Sequence, residues 1–319
     1  MLEVFCNEQD LTPFVTAATW GGDLEQAARH FRFSIAYNPH DKSFPLLDLH
    51  LGDDIYAYYS DENQPRVEIF RGRIFYRKRA TNEFVYQFVA YDNLVYLAKS
   101  KVHKVFTDIP VADVFTTICG EMGVPCEPPE VKTRVSFIAD GKSCTEVFKT
   151  LSDKVKAVEG YTLYPVSIDG SVRLVKRGTR LDYIATDYNC INKTEHSDSI
   201  ENMINKVVAV DETGAVKQVY TNDEDLKYGI LQDVYTMQPP SAKVDNAAEA
   251  QAHLKPVEEE SSLDGIGNIQ CITGYCLTVQ EEQLQGVFFI KSDSHTFSDG
   301  QHMMTLALVY QEAKDEKDE

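Results

Sequence analysis

No window of this sequence approaches the roughly 18 consecutive apolar residues that a membrane-spanning helix requires, so no helical membrane span is expected. The opening residues MLEVFCNEQDLTPF lack the basic start and apolar run of a secretory leader. The expectation is a protein made in the cytosol that leaves the cell only by lysis or within a larger assembly. Positive charge is scarce: 31 Lys and Arg face 50 Asp and Glu, a formal net charge of −19. So acidic a chain repels a phosphate backbone, which argues against sequence-independent nucleic-acid binding. It leaves room for a passage along which DNA slides without sticking. Cysteine is sparse and unpatterned. The seven (Cys6, Cys119, Cys126, Cys144, Cys190, Cys271, Cys276) are odd in number and show no zinc-ribbon spacing, so reduced thiols acting as small core hydrophobes are expected. The GxSxG elbow of α/β-hydrolases is missing as well.

Aromatic residues, by contrast, are plentiful, with 17 Tyr and 16 Phe in 319 residues. They favour strands, because large flat side chains fill a pleated, half-buried surface. At roughly 100–200 residues per domain the length suggests two or three domains. Residues 1–98 read as short strands, with Phe31, Phe33, Ile35 and Tyr37 alternating onto one face. Asn38-Pro39, Gly52-Asp53-Asp54, Asp61-Glu62-Asn63 and Thr81-Asn82 supply turns between them. The period then changes. Pro110 precedes Val111, Val114, Phe115, Ile118, Cys119 and Met122 at helical spacing, and Gly123 and Pro125 end the run. Ser143-Cys144-Thr145-Glu146 has the form of a capping box opening a second helix. Asp169-Gly170 turns a hairpin between residues 161–166 and 171–176. Strand patterning returns near residue 200, around the loop Asp211 to Gly214. An Ala-rich helix from Asp245 is expected to stop at Pro256, and residues 268–279, 287–290 and 303–310 are strand candidates.

Three sets of residues invite a chemical reading. Cys271, Cys276, His295 and His302 are the nearest thing to a zinc set. Cysteines five apart on a strand point to opposite faces, however, and the plainer expectation is two buried thiols and two surface histidines. Asp293-Ser294-His295 resembles part of a hydrolase triad, but residues 291–300 read more simply as a polar hairpin loop turned at Asp299-Gly300. With 50 carboxylates, no single pair stands out as a glycosidase acid and nucleophile. No metal, cofactor or catalytic residue is therefore expected. Between Arg66 and Lys104, nine Lys or Arg stand against three acids, a local net of +6 in an acidic chain. These are either solvated strand edges or one side of a charge-complementary subunit interface, with Arg71, Arg73, Arg77, Lys78 and Arg79 as its candidate charges.

Several strings, taken in order, resemble the baseplate hub proteins of contractile phage tails, in the late control protein D group and particularly the PBSX-type prophage hub. They are Thr19-Trp20-Gly21-Gly22-Asp23 with Arg29-His30-Phe31-Arg32-Phe33, Phe70-Arg71-Gly72, and residues 90–100 from Ala90-Tyr91-Asp92 through Leu97. Residues 200–207, containing Asn202 and Asn205, and residues 227–232, containing Tyr228, Gly229 and Gln232, continue the series. The resemblance implies two tube-type β-barrels flanking an α/β region in an α+β, mainly β chain. It also implies homotrimers whose six barrels match a sixfold tail tube and present a threefold platform to a spike. Tail tube, tape-measure, spike and other baseplate proteins would be the partners, with DNA passing through the channel unbound. The protein would be made in a bacterial host's cytoplasm and built into a phage, prophage or bacteriocin particle, with no membrane partner.

The family positions then carry structural roles: Trp20, Phe31 and Phe33 as barrel core, Gly72 as a strand bend, Asp92 as a helix cap, and Tyr228 to Gln232 as re-entry into the second barrel. Asp23, Arg29, Tyr91, Leu97, Asn202 and Asn205 complete that set. The expected division is residues 1–98 and 196–312 as barrel-like domains, the second with one helix, residues 99–195 as an insert of two helices and a hairpin, and 313–319 as a disordered acidic tail. The competing readings are a tail-associated peptidoglycan hydrolase and a β-rich receptor- or carbohydrate-binding module.

Overall fold

In a computed structural model, which describes residues 1–38, 40–45, 47–62, 64–80, 84–239 and 244–310, the chain divides into two units. Residues 1–194 and the chain from 262 onward form the first, and residues 195–261 the second. The expected turns at Asn38-Pro39, 61–63 and Thr81-Asn82 and the acidic tail lie partly or wholly outside the described residues.

The aromatic alternation near the start produces an antiparallel sheet. Its strands are β1 (Leu2–Cys6), β2 (Gln9–Asp10), β3 (Val15–Asp23), β4 (His30–Ala36), β5 (Asp54–Tyr59), β6 (Val67–Arg79) and β7 (Val85–Asp92), ordered β3-β4-β7-β6-β5-β1-β2. Phe31, Phe33 and Ile35 of β4 point inward as their period predicts, while Tyr37 lies past the strand end, half-buried. Phe31 stacks on Phe70 at 5.3 Å and Phe33 on Phe88 at 5.1 Å between ring centroids. Offset ring stacking at such distances adds about 0.5–1.5 kcal/mol to area burial.

The next segment folds around its own core: α1 (Leu94–Lys99), β8 (Lys101–Pro110), α2 (Val111–Glu121), β9 (Cys126–Glu127), β10 (Arg134–Ser143), α3 (Cys144–Glu159), β11 (Leu163–Ile168) and β12 (Ser171–Lys176). The two expected helices are α2 and α3. Ser143 Oγ accepts the Glu146 amide, and Glu146 accepts the Ser143 amide, closing the capping box. Asp169 and Gly170 take φ of 51° and 76°, the left-handed pair of a two-residue hairpin turn. The β8–β10 ribbon has no counterpart in the sequence reading. Register shifts between Val135 and Phe137 and between Asp140 and Lys142 break the two-residue period by which a strand is recognised.

β13 (Arg180–Thr186) and β14 (Ile191–Ser199) bring the chain to the second unit. There β15 (Lys206–Val210), β16 (Val216–Thr221) and β17 (Gln232–Thr236) form a sheet ordered β16-β15-β17, and α4 (Asn246–Ala252) is capped by Asp245. β18 (Glu258–Ile266) carries the chain back, followed by β19 (Cys276–Gln280), β20 (Gln285–Ser298) and β21 (Gln301–Tyr310). Residues 268–275, expected as part of a strand, are turns.

The largest departure from expectation concerns residues 291–300. They are not a polar loop: β20 runs through to Ser298, and only Asp299-Gly300 turn. Asp293, His295 and Phe297 are buried on one face of β20, where two polar residues occupy core positions and disguise the alternation. Ser292 to Phe297 pair antiparallel with Asp23 to Ala18 of β3, so the last strands join the first ones in one sheet. Residues 262–310 thus share a sheet with the segment 1–98, while 195–261 stand as a separate unit. A second core of Leu263, Cys271, Leu277, Phe288, Ile290, Leu306 and their neighbours lies beneath the C-terminal strands. Two β cores therefore sit on one continuous sheet, with the α/β core between them in the sequence.

Candidate functional site

The seam where β3, β4 and β20 meet holds a buried charge. Arg29, just before β4, donates through both guanidinium ends to Asp293 of β20, at 2.8 and 2.5 Å. Asp293 is fully buried and Arg29 nearly so. The guanidinium also lies 4.3 Å from the Trp20 ring centroid, a cation–π contact on desolvated ground. Burial opposes ionisation of Asp293, but the Arg29 charge and hydrogen bonds outweigh it and hold the carboxyl below its ordinary range. The Thr273 amide and hydroxyl both donate to the same carboxylate at 2.6 Å.

A second buried carboxylate, Asp92, accepts the amides of Arg29 (3.2 Å) and Leu94 (3.0 Å), tying β4 to the start of α1. Burial pushes its pKa up to about 7, against the pull of those amides and of Arg29. Beyond Asp293, His295 Nε2 lies 3.1 Å from the Cys271 carbonyl and Nδ1 lies 3.0 Å from His302 Nε2. Burial lowers His295 to about 4 and His302 to about 3, so both are neutral at pH 7. Both were expected at the surface and both are buried, with His302 stacked on Phe297 at 4.3 Å.

This arrangement ties the entry to β4, the turn at Thr273 and β20 together. Asp293 and His295 share the inner face of β20, and the intervening Ser294 points to the other, so the three cannot form a triad. His295 commits both ring nitrogens to contacts within the protein. Among the described residues no group of three or more His, Cys, Asp and Glu is arranged to hold a metal ion.

Several family positions surround this seam. Trp20 pairs with Phe31, and His30, next to Arg29, pairs with Tyr91. Trp20, Phe31 and Phe33 are all buried in the N-terminal β core. Asp23 caps the following turn by accepting the Glu25 amide at 2.7 Å. Gly72 lies opposite Asp92, and a Cβ there would fall 2.1 Å from the Tyr91 carbonyl oxygen; close approach of β6 to β7 is what demands glycine. A Cβ on Gly22 would meet the Arg29 guanidinium at 2.5 Å. Leu97 is buried in the α/β core instead.

The remaining positions fall in the second unit. Asn205, fully buried, donates to the carbonyls of Asp225 (3.0 Å) and Gly229 (2.7 Å) and accepts the Leu231 amide (2.9 Å), stapling the loop before β17. Asn202 donates to Glu258 at 3.1 Å, Tyr228 is exposed, and Gln232 pairs with Lys206 across β15 and β17.

The basic residues of β6 divide by partner. Arg71 forms a two-pronged pair with Glu68 at 2.9 and 2.6 Å, and Arg73 pairs with Asp54 at 2.8 Å. Arg77 donates instead to the Leu49 carbonyl and Arg79 to the Tyr37 hydroxyl, and among the described residues neither forms an ion pair; Lys78 is exposed between them. What the sequence could not signal was the partner of Arg29. Asp293 is separated from it by 264 residues.

This architecture is shared with phage tail proteins. The 43 kDa tail protein of prophage MuSo2 from Shewanella oneidensis superimposes with a TM-score of 0.67 at 12% identity, over 97% of this chain and 96% of that one. The E. coli c3393 protein, a type VI secretion component with structural similarity to the T4 bacteriophage tail proteins gp27 and gp5, gives 0.53 at 11% identity, over 97% of this chain and 77% of its own. At such identities the likeness is one of fold. In sequence, the uncharacterized protein YqbQ of Bacillus subtilis (strain 168) is 26% identical over 257 residues, 76% of this chain and 78% of that protein. A model of the YqbQ-like family matches residues 18–309, and the chain belongs to that family.

Proposed function

We propose that the chain is the baseplate hub of a contractile tail, a non-catalytic ring of three copies joining the tail tube to the central spike. The observation that carries this reading is the pair of β cores on one continuous sheet, with an α/β core between them in the sequence. We read the two β cores as tube-type barrels. Three copies then offer six barrels to a sixfold tube and a threefold platform to a spike. The fold shared along nearly the whole length of a prophage tail protein, and with a type VI secretion component, supports this reading.

Its chemistry is that of a scaffold. The buried charges at the seam, Arg29 and Asp293, are spent on each other, which fixes geometry. Of the rival readings, a peptidoglycan hydrolase needs carboxylates converging in a cleft, and a β-rich receptor- or carbohydrate-binding module needs clustered surface aromatics. The particle would be a phage, a prophage tail or a bacteriocin made in a bacterial cytoplasm. Tube, tape-measure, spike and other baseplate proteins are the partners, and DNA passes without specific contact.

Co-expression with tail tube and spike proteins tests the proposal. A threefold ring bridging the two, seen by electron microscopy, is the expected result. Peptidoglycan cleavage by the purified chain would overturn it.

A further inference from the structure

In the second unit, β15 lies between β16 and β17, and the register aligns Val208 with both Val219 and Val234, and Val210 with Val216. Val207, Ala209 and Tyr235 point to the opposite face, where they pack with Ala250 of α4. That face is the unit's core. The valines lie on the other one, with Val216 61%, Val219 45% and Val234 52% exposed. A sheet covered on one side ordinarily alternates apolar-in with polar-out. A cluster of β-branched apolar side chains on the outer face marks a surface buried by association.

Charge narrows the occupant. Residues 195–261 hold 14 Asp and Glu against five Lys, a net of −9. Two units of that charge repel each other, which disfavours docking this face on the same face of another copy. The chain itself carries the complement: at the end of β6, Phe75 and Tyr76 are 36% and 51% exposed beside Arg77, Lys78 and Arg79. The Arg77 and Arg79 side chains rest on neutral acceptors and keep their charge. Tyrosine and arginine around exposed aromatic surface are the composition enriched at interface centres.

We propose that the valine face of the second unit docks the basic, aromatic end of β6 from a second copy of this chain. Unlike surfaces joined in this way make a heterologous, head-to-tail contact, which closes into a ring when the rotation allows. Only that closure rests on the hub reading; the contact itself does not.

Carbodiimide cross-linking of the full chain, mixed from isotope-labelled and unlabelled protein, tests it. Mixed-isotope links from Lys78 to acids within residues 195–261 are expected. Val219→Lys with Val234→Lys, and separately Arg77→Glu with Arg79→Glu, which leaves the reactive Lys78 amine in place, should each cut those links roughly tenfold or more, as loss of an interface centre does. An unchanged melting temperature would show that the fold survives, since all four side chains are exposed or lie on the surface end of a strand. Links confined to single-isotope pairs, no links at all, or links indifferent to the valine changes would overturn the proposal. A threefold ring with tube and spike that survives the valine changes would overturn this contact and leave the hub reading standing. Mixed links without any binding to tail proteins would do the reverse.

Discussion

Arg29 and Asp293 lie 264 residues apart in the chain, yet their side chains meet at 2.5 Å in a buried, two-pronged ion pair. The pair fastens the entry to β4 onto β20, and so locks the last strands of the chain to the first. With Trp20 against the guanidinium and Thr273 on the carboxylate, every strand at the seam is held by one charge pair.

Removing one partner of this pair leaves the other charge buried without an answer, which typically costs about 3–5 kcal/mol. Asp293→Asn is therefore expected to lower stability by an amount in that range, measured by denaturant unfolding. Replacing both partners with apolar groups, Arg29→Met with Asp293→Leu, should recover much of the loss. A double variant as unstable as the single one would show that the pair supplies stability outright rather than orientation.

Acid sensitivity should have two opposing sources. The unfolded histidines take up protons near pH 6.5, whereas folded His295 and His302 resist until about 4 and about 3. Their contribution to stability is full above 6.5 and is lost as the pH falls from there. Asp92 acts the other way: folded, it keeps its proton up to about 7 and unfolded only to about 3.8, so its contribution fades as pH rises between those values. Thermal melts across pH 4–8 should then show a shallower acid loss in His295→Gln and a steeper one in Asp92→Asn. The same slope in all three proteins would contradict both assignments.

Two glycines make a contrasting pair. Gly72→Ala drives a methyl into the Tyr91 carbonyl, so β7 must shift, and a loss of about 1–3 kcal/mol is expected from overpacking. Gly120, in α2, has open space where its Cβ would be, and Gly120→Ala should stabilise by up to about 1 kcal/mol through helix propensity. Parallel chemical denaturation of the two variants distinguishes close approach from mere flexibility.

Asn205 makes three side-chain hydrogen bonds to the backbone of a single loop. Asn205→Ala should speed amide exchange at Leu231, whose N–H it accepts, while leaving protection in β3 and β4 unchanged. Hydrogen-exchange mass spectrometry resolves the two regions. Unaltered exchange at residues 222–231 would show that the loop is held by other means.

Much of this was legible locally. The capping box at Ser143, the Asp169-Gly170 turn and the aromatic alternation of Phe31 to Ile35 each depend on neighbours within a few residues, and each is found where the pattern put it. What escaped was non-local or masked by polarity. Asp293 and His295 read as loop residues because their partners Arg29, Thr273 and His302 are brought in by pairing of distant strands. β10 hid behind two bulges that break the two-residue period. The basic stretch in β6 showed as a charge excess, but only the fold reveals that Arg71 and Arg73 are answered by carboxylates, whereas Arg77 and Arg79 donate to neutral acceptors.

Cryo-electron microscopy of the tail tip of an assembled particle containing this chain tests the hub proposal most directly. The account predicts three copies in a ring on the tail axis, between tube and spike, each contributing two barrel-like β regions to a pseudo-sixfold layer. Finding the chain off the axis, on a fibre or a peripheral arm, would contradict it.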